Sequence, residues 1–162
     1  MRIIPPPPPA WATWEDLMAE ALAEARAARD AAEVPVGAVV VSGRGEILGR
    51  GRNAPESSHD PTAHAEVVAL RQAAERIGNH RLEGCVMIVT LEPCLMCLGA
   101  MVHARLSGVV YGAADPAAGV IASQMDGPEL PFLNHRLWHL GGILESSCSE
   151  KLKNFFAERR VK

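Results

Sequence analysis

The chain has 162 residues, 48% of them hydrophobic and 22% charged, with a formal net charge of −3 at pH 7. That composition excludes collagen-like and disordered classes and suits one globular domain. No apolar run approaches the roughly 20 residues that span a bilayer, and Met1-Arg2-Ile3-Ile4 lacks the features of a secretory signal, so a cytoplasmic protein is expected. In chain order, Pro5 to Pro9 predict a polyproline II segment, read as a flexible, solvated tail over residues 1–10, with the folded domain over 11–162. Thr13 is a candidate N-cap with Asp16 in a capping-box relation, and Trp14, Leu17, Ala21, Ala25 and Ala28 recur at helical spacing to about Ala32. Val34 to Val41 reads as a buried strand, Ser42-Gly43-Arg44-Gly45 as a turn, and Glu46 to Arg52 as the returning strand of a hairpin. A polar loop from Ser57 to Thr62 precedes a helix from about Ala63 to Ile77, stopped by Gly78. Cys85 to Thr90 is a short strand, Pro93 to Ala104 a helix opened by proline, and Gly108 to Tyr111 another strand. Residues 112–132, rich in Gly, Pro and Ala, predict a long functional loop; Leu137 to Leu140 an edge strand; Glu145 to Arg160 a final helix. Strands alternating with helices imply an α/β fold, a three-layer α/β/α sandwich around a mixed sheet of about five strands.

Two short motifs carry the chemistry: His64-Ala65-Glu66 and Pro93-Cys94-Leu95-Met96-Cys97, each at the start of an expected helix. Cys94 and Cys97 are three residues apart and share a helix face. The N-terminal dipole and free N–H groups there favour thiolates, the metal-binding form. One His nitrogen with two thiolates makes a soft donor set suited to Zn²⁺. Three protein ligands leave a tetrahedral position open, as in catalytic rather than structural zinc sites, and zinc-bound water has a pKa near 7. Glu66, two residues from His64, is placed to move protons without binding the metal. A Cys-x-x-Cys after a strand also describes a redox site, and a fourth ligand from Cys85 or Cys148 would make the zinc structural; both of those cysteines read instead as buried small hydrophobes. Met96, Leu98 and Met101 read as core. The C-terminal stretch from Ser149 to Lys162 carries a net +3 on a body of −6, a local potential able to attract phosphates.

These two motifs match the signature of the cytidine deaminase superfamily. Within it, the chain resembles the bacterial tRNA-specific adenosine deaminases over about Ala10 to Val161, through segments such as Asp60-Pro61-Thr62-Ala63-His64-Ala65-Glu66, Thr90-Leu91-Glu92-Pro93-Cys94, Asn134-His135-Arg136 and Phe155-Phe156-Ala157-Glu158-Arg159-Arg160. The resemblance implies a cytidine deaminase-like fold and a zinc-dependent hydrolase that converts adenosine to inosine at the wobble position of a tRNA anticodon loop. It further implies one Zn²⁺ per subunit on His64, Cys94 and Cys97, with Glu66 as proton carrier. Asn53, Asp115, Ala65 and Pro93 become the substrate-contacting positions, and Lys151, Lys153, Phe156, Arg159 and Arg160 the RNA-contacting ones. The expected partners are the tRNA anticodon stem-loop and a second copy in a homodimer. The family often carries basic residues around the position of Asp115, where this chain has Ala113, Ala114 and Ala117; the proline tract also departs from the family pattern. The rival readings are a deaminase of a free base or nucleoside, such as guanine or cytosine, and a non-catalytic zinc or redox domain.

Overall fold

A computed structural model describes residues 3–160. Met1 and Arg2 of the N-terminal reading, and Val161 and Lys162 of the basic C-terminus, lie outside the described residues. The first helix, α1 (Trp14–Asp30), starts as its sequence dictates: the Thr13 hydroxyl accepts from Asp16 N–H and the Asp16 carboxylate accepts from Thr13 N–H, the reciprocal capping box. A hairpin follows, β1 (Gly37–Val41) and β2 (Ile47–Arg52), then a short helix α2 (Pro55–Ser58) and α3 (Ala65–Ile77). Next come β3 (Val86–Leu91), α4 (Leu95–His103) and β4 (Gly108–Ala113). A single 3₁₀ turn (Gly127–Glu129), β5 (Trp138–Leu140) and α5 (Glu145–Arg160) complete the chain.

The five strands form one sheet in the order β2-β1-β3-β4-β5. β1 is antiparallel to both β2 and β3, while β3, β4 and β5 run parallel. Alternation along the strands separates two cores. Ala38, Val40, Met87, Val89 and Val109 face α3 and α4. Val39, Val41, Ile88 and Val110 face α1 and the buried Cys148 of α5. The expected three-layer sandwich with a mixed five-stranded sheet is what forms.

Glycines let helices sit close to the sheet. A side chain at Gly49 or Gly51 of β2 would run into the backbone of α3, at Ala69 and Ala65 respectively, and one at Gly37 would run into α1 at Ala21. Helix α3 therefore rests directly on the hairpin, which fixes where His64 stands.

Several elements differ from the sequence reading. The strand expected from Val34 begins at Gly37: Val36 N–H bonds back to Val34 O, and Gly37 N–H is taken by the Thr90 hydroxyl, so residues 34 and 35 lie outside the ladder, while Val36 O still accepts from Asn53 N–H. The one-turn α2, Pro55–Ser58, takes up the first two residues of the loop expected over Ser57 to Thr62. Met96, read as core, is 38% exposed, because it shares the outward side of the first turn of α4 with Leu95, while Cys97, Leu98 and Met101 are buried on the other side. The proline tract, read as solvated, lies against the domain: Pro8 is buried, and the Trp11 indole N–H donates to Gly45 O at 2.8 Å. The apolar ring faces of Pro5 to Pro9 border a cleft shared with Trp14 and Trp138, which supplies the burial that a polyproline helix cannot provide for itself.

Candidate active site

His64 and Cys94 are the N-cap residues of α3 and α4, with extended backbone conformations (φ −71°, ψ 150° and φ −80°, ψ 175°). N-caps are usually Ser, Thr, Asp or Asn, whose side chains bond back to the helix. Here neither side chain makes a cap bond, and both are directed elsewhere. They meet Cys97, one turn into α4. Cys94 Sγ and Cys97 Sγ each lie 3.6 Å from His64 Nδ1, and the three donor atoms fall within 4.8 Å of one another. Ideal zinc bonds to nitrogen and sulfur at tetrahedral angles put such an N···S edge at about 3.6 Å. The donor set and its spacing thus fit Zn²⁺.

The electrostatics agree. The Cys94 thiol is pulled down to about 5, chiefly because Cys97 donates to it, against the opposing effect of burial and with help from the Cys97 backbone N–H and His64. Cys97 is pushed up, first by that same bond to Cys94, then by burial and by the charges of Glu66 and Cys94. Holding both sulfurs as thiolates this close to a carboxylate would require a cation, and the donor set fits a metal in that role. Glu66 is 4% exposed. Burial is the largest influence on its carboxyl and raises it, opposed by its own backbone N–H and by the Cys97 thiol. Such a carboxyl is able to hold a proton nearer neutral pH than a solvated one.

A cavity of about 200 Å³ opens on this cluster, lined by Asn53, His64, Glu66, Cys94 and Asp115, with Val34, Val36, Leu91, Glu92 and Ala118. Asn53 and Asp115, from segments 62 residues apart, therefore share one cavity with the cysteine and histidine donors. Asp115 Oδ1 accepts from Ala117 and Ala118 N–H, so part of its carboxylate holds its own turn. Ala65 and Pro93 are not among the lining residues. Ala65 is fully buried in the core beneath β2, and Pro93 is buried with its carbonyl accepting from Val120 N–H.

The C-terminal residues split into two groups. Lys153, Phe156 and Arg160 are exposed and Lys151 is half-buried. Arg159 is engaged within the molecule: it donates to Ala32 O at 2.7 Å, lies 3.9 Å from Glu56, and covers the Phe155 ring at 4.5 Å. Asn134, His135 and Arg136 likewise bond to Arg105, Leu106 O and Leu130 O, holding the approach to β5. Sequence reasoning gave no role to Glu92, whose buried carboxylate bonds to residues 115 and 121–123, nor to buried Glu33, which accepts from Ser57 N–H at 2.7 Å and steadies the loop between Asn53 and His64.

A family model of the cytidine and deoxycytidylate deaminase zinc-binding region matches residues 12–113. The tRNA-specific adenosine deaminase of Haemophilus influenzae is 44% identical over 146 residues, covering 90% of this chain and 84% of that protein. The tRNA(Ile)-lysidine synthase of Deinococcus radiodurans is 45% identical over 146 residues, but this chain spans only 24% of its length. A solved structure from studies of A-to-I editing by tRNA:A34 deaminases at the wobble position of transfer RNA matches with a TM-score of 0.82 and 40% identity, over 85% of this chain and 99% of that one.

Proposed function

The chain belongs to the cytidine and deoxycytidylate deaminase family, as a homologue of its tRNA-specific adenosine deaminases, and from that premise we propose that it hydrolyses adenosine to inosine at the wobble position of a tRNA anticodon loop. The observation that carries the deaminase chemistry is the convergence of His64, Cys94 and Cys97 beside buried Glu66, at a cavity that His64, Glu66 and Cys94 line. His64 Nδ1 and the two sulfurs would hold one zinc per chain, which when bound supplies Lewis acidity and lowers the pKa of a coordinated water. Glu66 takes up a proton on a carboxylate oxygen as water adds to the base, then returns it to the departing amine, so that adenosine and water become inosine and ammonia. Its burial suits both halves of that task, because a raised carboxyl can hold the proton between the two transfers.

Asn53 offers an amide able to donate and accept at once, matched to the edge of a base or to a ribose hydroxyl. Asp115 bounds the cavity from the segment after β4. The wall residues Val34, Val36 and Leu91 supply apolar surface for a purine face. An anticodon-loop nucleotide suits such a pocket, because a base outside a duplex leaves its stack at lower cost. The same reading includes a homodimer and a cytoplasmic location. Leu95 and Met96, exposed beside Cys94, are apolar surface of the kind a partner subunit or RNA covers; among the described residues no helix is long and apolar enough to cross a membrane.

The test is substrate preference. Ammonia release should be seen with an anticodon stem-loop carrying adenosine at the wobble position, and kcat/KM for it should exceed that for guanine, cytosine or free adenosine. Efficient release from guanine or cytosine, with the stem-loop untouched, contradicts the proposal.

A further inference from the structure

Glu92 is 2% exposed and stands at the junction of β3 and α4, directly before Pro93 and Cys94. Burying a carboxylate is costly unless its oxygens are satisfied, and here five donors satisfy them, all from the segment that follows β4. Oε1 accepts from Asp115 N–H at 3.1 Å and from the Ser123 hydroxyl. Oε2 accepts from three consecutive amides, Ile121, Ala122 and Ser123, at 3.0, 2.9 and 3.0 Å. Backbone bonds flank the carboxylate: Glu92 N–H to Ala113 O at 2.8 Å and Val120 N–H to Pro93 O at 3.0 Å. A side chain at Gly119 would overlap the Glu92 carboxyl, so the segment is closed tightly around it. The stretch from Ala114 to Asp126 contains no helix or strand of its own, yet it contributes Asp115 and Ala118 to the cavity wall.

We propose that Glu92 is a positioning residue for substrate: its carboxylate is the post on which residues 115–123 are hung, fixing that wall of the cavity relative to Cys94. The wall and the metal cluster are otherwise far apart in sequence, and Glu92 and Pro93 join them at one point of the β3–α4 junction. Loss of the post leaves the metal ligands in place, because they stand on helices α3 and α4, and lets the wall sample open arrangements. Apparent affinity then falls in proportion to the fraction of time the wall is closed, while the chemical step in the closed complex proceeds much as before. The proposal draws on the functional reading above only for the identity of the substrate.

Glu92→Gln tests it, because shape is retained while one oxygen becomes an NH₂. Both carboxylate oxygens already face donors, so either amide orientation sets N–H against N–H. With zinc-loaded protein and no substrate, hydrogen exchange at Ile121, Ala122 and Ser123 should quicken by about tenfold or more, with the amides of α3 and α4 unchanged. In steady state, KM for the wobble-adenosine stem-loop should rise about tenfold or more with kcat within about threefold and zinc content unchanged. Ser123→Ala removes one donor of the five and keeps the fold, and should shift exchange and KM in the same direction by a few-fold; it decides the matter if the Gln variant does not fold. Unchanged exchange at residues 121–123, a fall in kcat at constant KM, or loss of zinc overturns the proposal. Should the wild type fail to deaminate the stem-loop, the functional reading falls; the exchange comparison, and KM for whichever base or nucleoside the protein does deaminate, still decide the role of Glu92.

Discussion

His64, Cys94, Cys97 and Glu66 are local in their logic and distant in the chain. The spacing Cys94-x-x-Cys97 puts two sulfurs on one helix face, and His64-x-Glu66 puts a candidate ligand and a carboxylate at the start of another, so these candidates are readable from the sequence alone. Two consequences are measurable. His64→Ala and Cys94→Ser should each lose most of the bound zinc, read by elemental analysis of purified protein; full zinc in both variants contradicts the ligand set. Glu66→Ala should keep zinc and fold but lose at least about 10²-fold in kcat, the low end for a positioned acid/base, measured by ammonia release; a rate near that of wild type removes Glu66 as proton carrier. Asn53 and Asp115 could be suggested only by family resemblance, since nothing in their neighbours announces a shared cavity. Glu92 was legible only as part of a motif, because four of its five partners are backbone amides 23 to 31 residues away, and an amide leaves no mark on a sequence.

Among the elements, those with strong periodicity or caps came through nearly unchanged: α1 from its Thr13 box, α3 ended by Gly78 at φ 69°, and α5 over Glu145–Arg160. What sequence could not show was order in the sheet. Interior β1 pairs with β2 and β3 alike, and the run Val34-Pro35-Val36 looks as strand-like as Val39-Val40-Val41, although Val34 and Val36 line the cavity instead. Tertiary structure decides this, through the Thr90 hydroxyl that ends the strand at Gly37. The closeness of α3 to β2 makes a sharper prediction. Gly51→Ala would press on Ala65 O at the first residue of α3. Overpacking of this kind costs about 1–3 kcal/mol, and the strain falls next to His64. Urea unfolding should show that destabilisation, with weaker zinc retention against a chelator than in wild type. A variant with unchanged stability and unchanged zinc retention would show that α3 is free to shift.

Across the whole molecule, the sequence separates an acidic body from a basic stretch over residues 149–162, but the helix α5 that carries most of that stretch is packed on the domain and is not a detachable tail. Phe155 is buried, Arg159 holds Ala32 O, and Glu158 pairs with Arg29 at 2.5 Å, so α5 braces the end of α1 from which Val34 and Val36 continue into the cavity wall. Truncation after Lys153 would disturb the cavity along with the charge. Neutralising Lys151, Lys153 and Arg160 alters charge while sparing Arg159. If these side chains meet RNA phosphates, the slope of log affinity against log salt should flatten by roughly 0.7 for each single-strand phosphate that is no longer neutralised, read by tRNA binding at several salt concentrations. An unchanged slope places the RNA elsewhere on the surface. The proline tract adds a second brace across Trp14 and Trp138, one that composition alone cannot distinguish from a solvated tail.

Position-resolved mass analysis in ¹⁸O-labelled water reads hydrolytic deamination at one nucleotide in a single measurement. A zinc-loaded sample is incubated with an anticodon stem-loop that carries adenosine at the wobble position and at other loop sites. Inosine should form at the wobble position alone, with one ¹⁸O atom in its base. Inosine at other positions, or none while a free base in the same tube is deaminated, would contradict deamination at the wobble position.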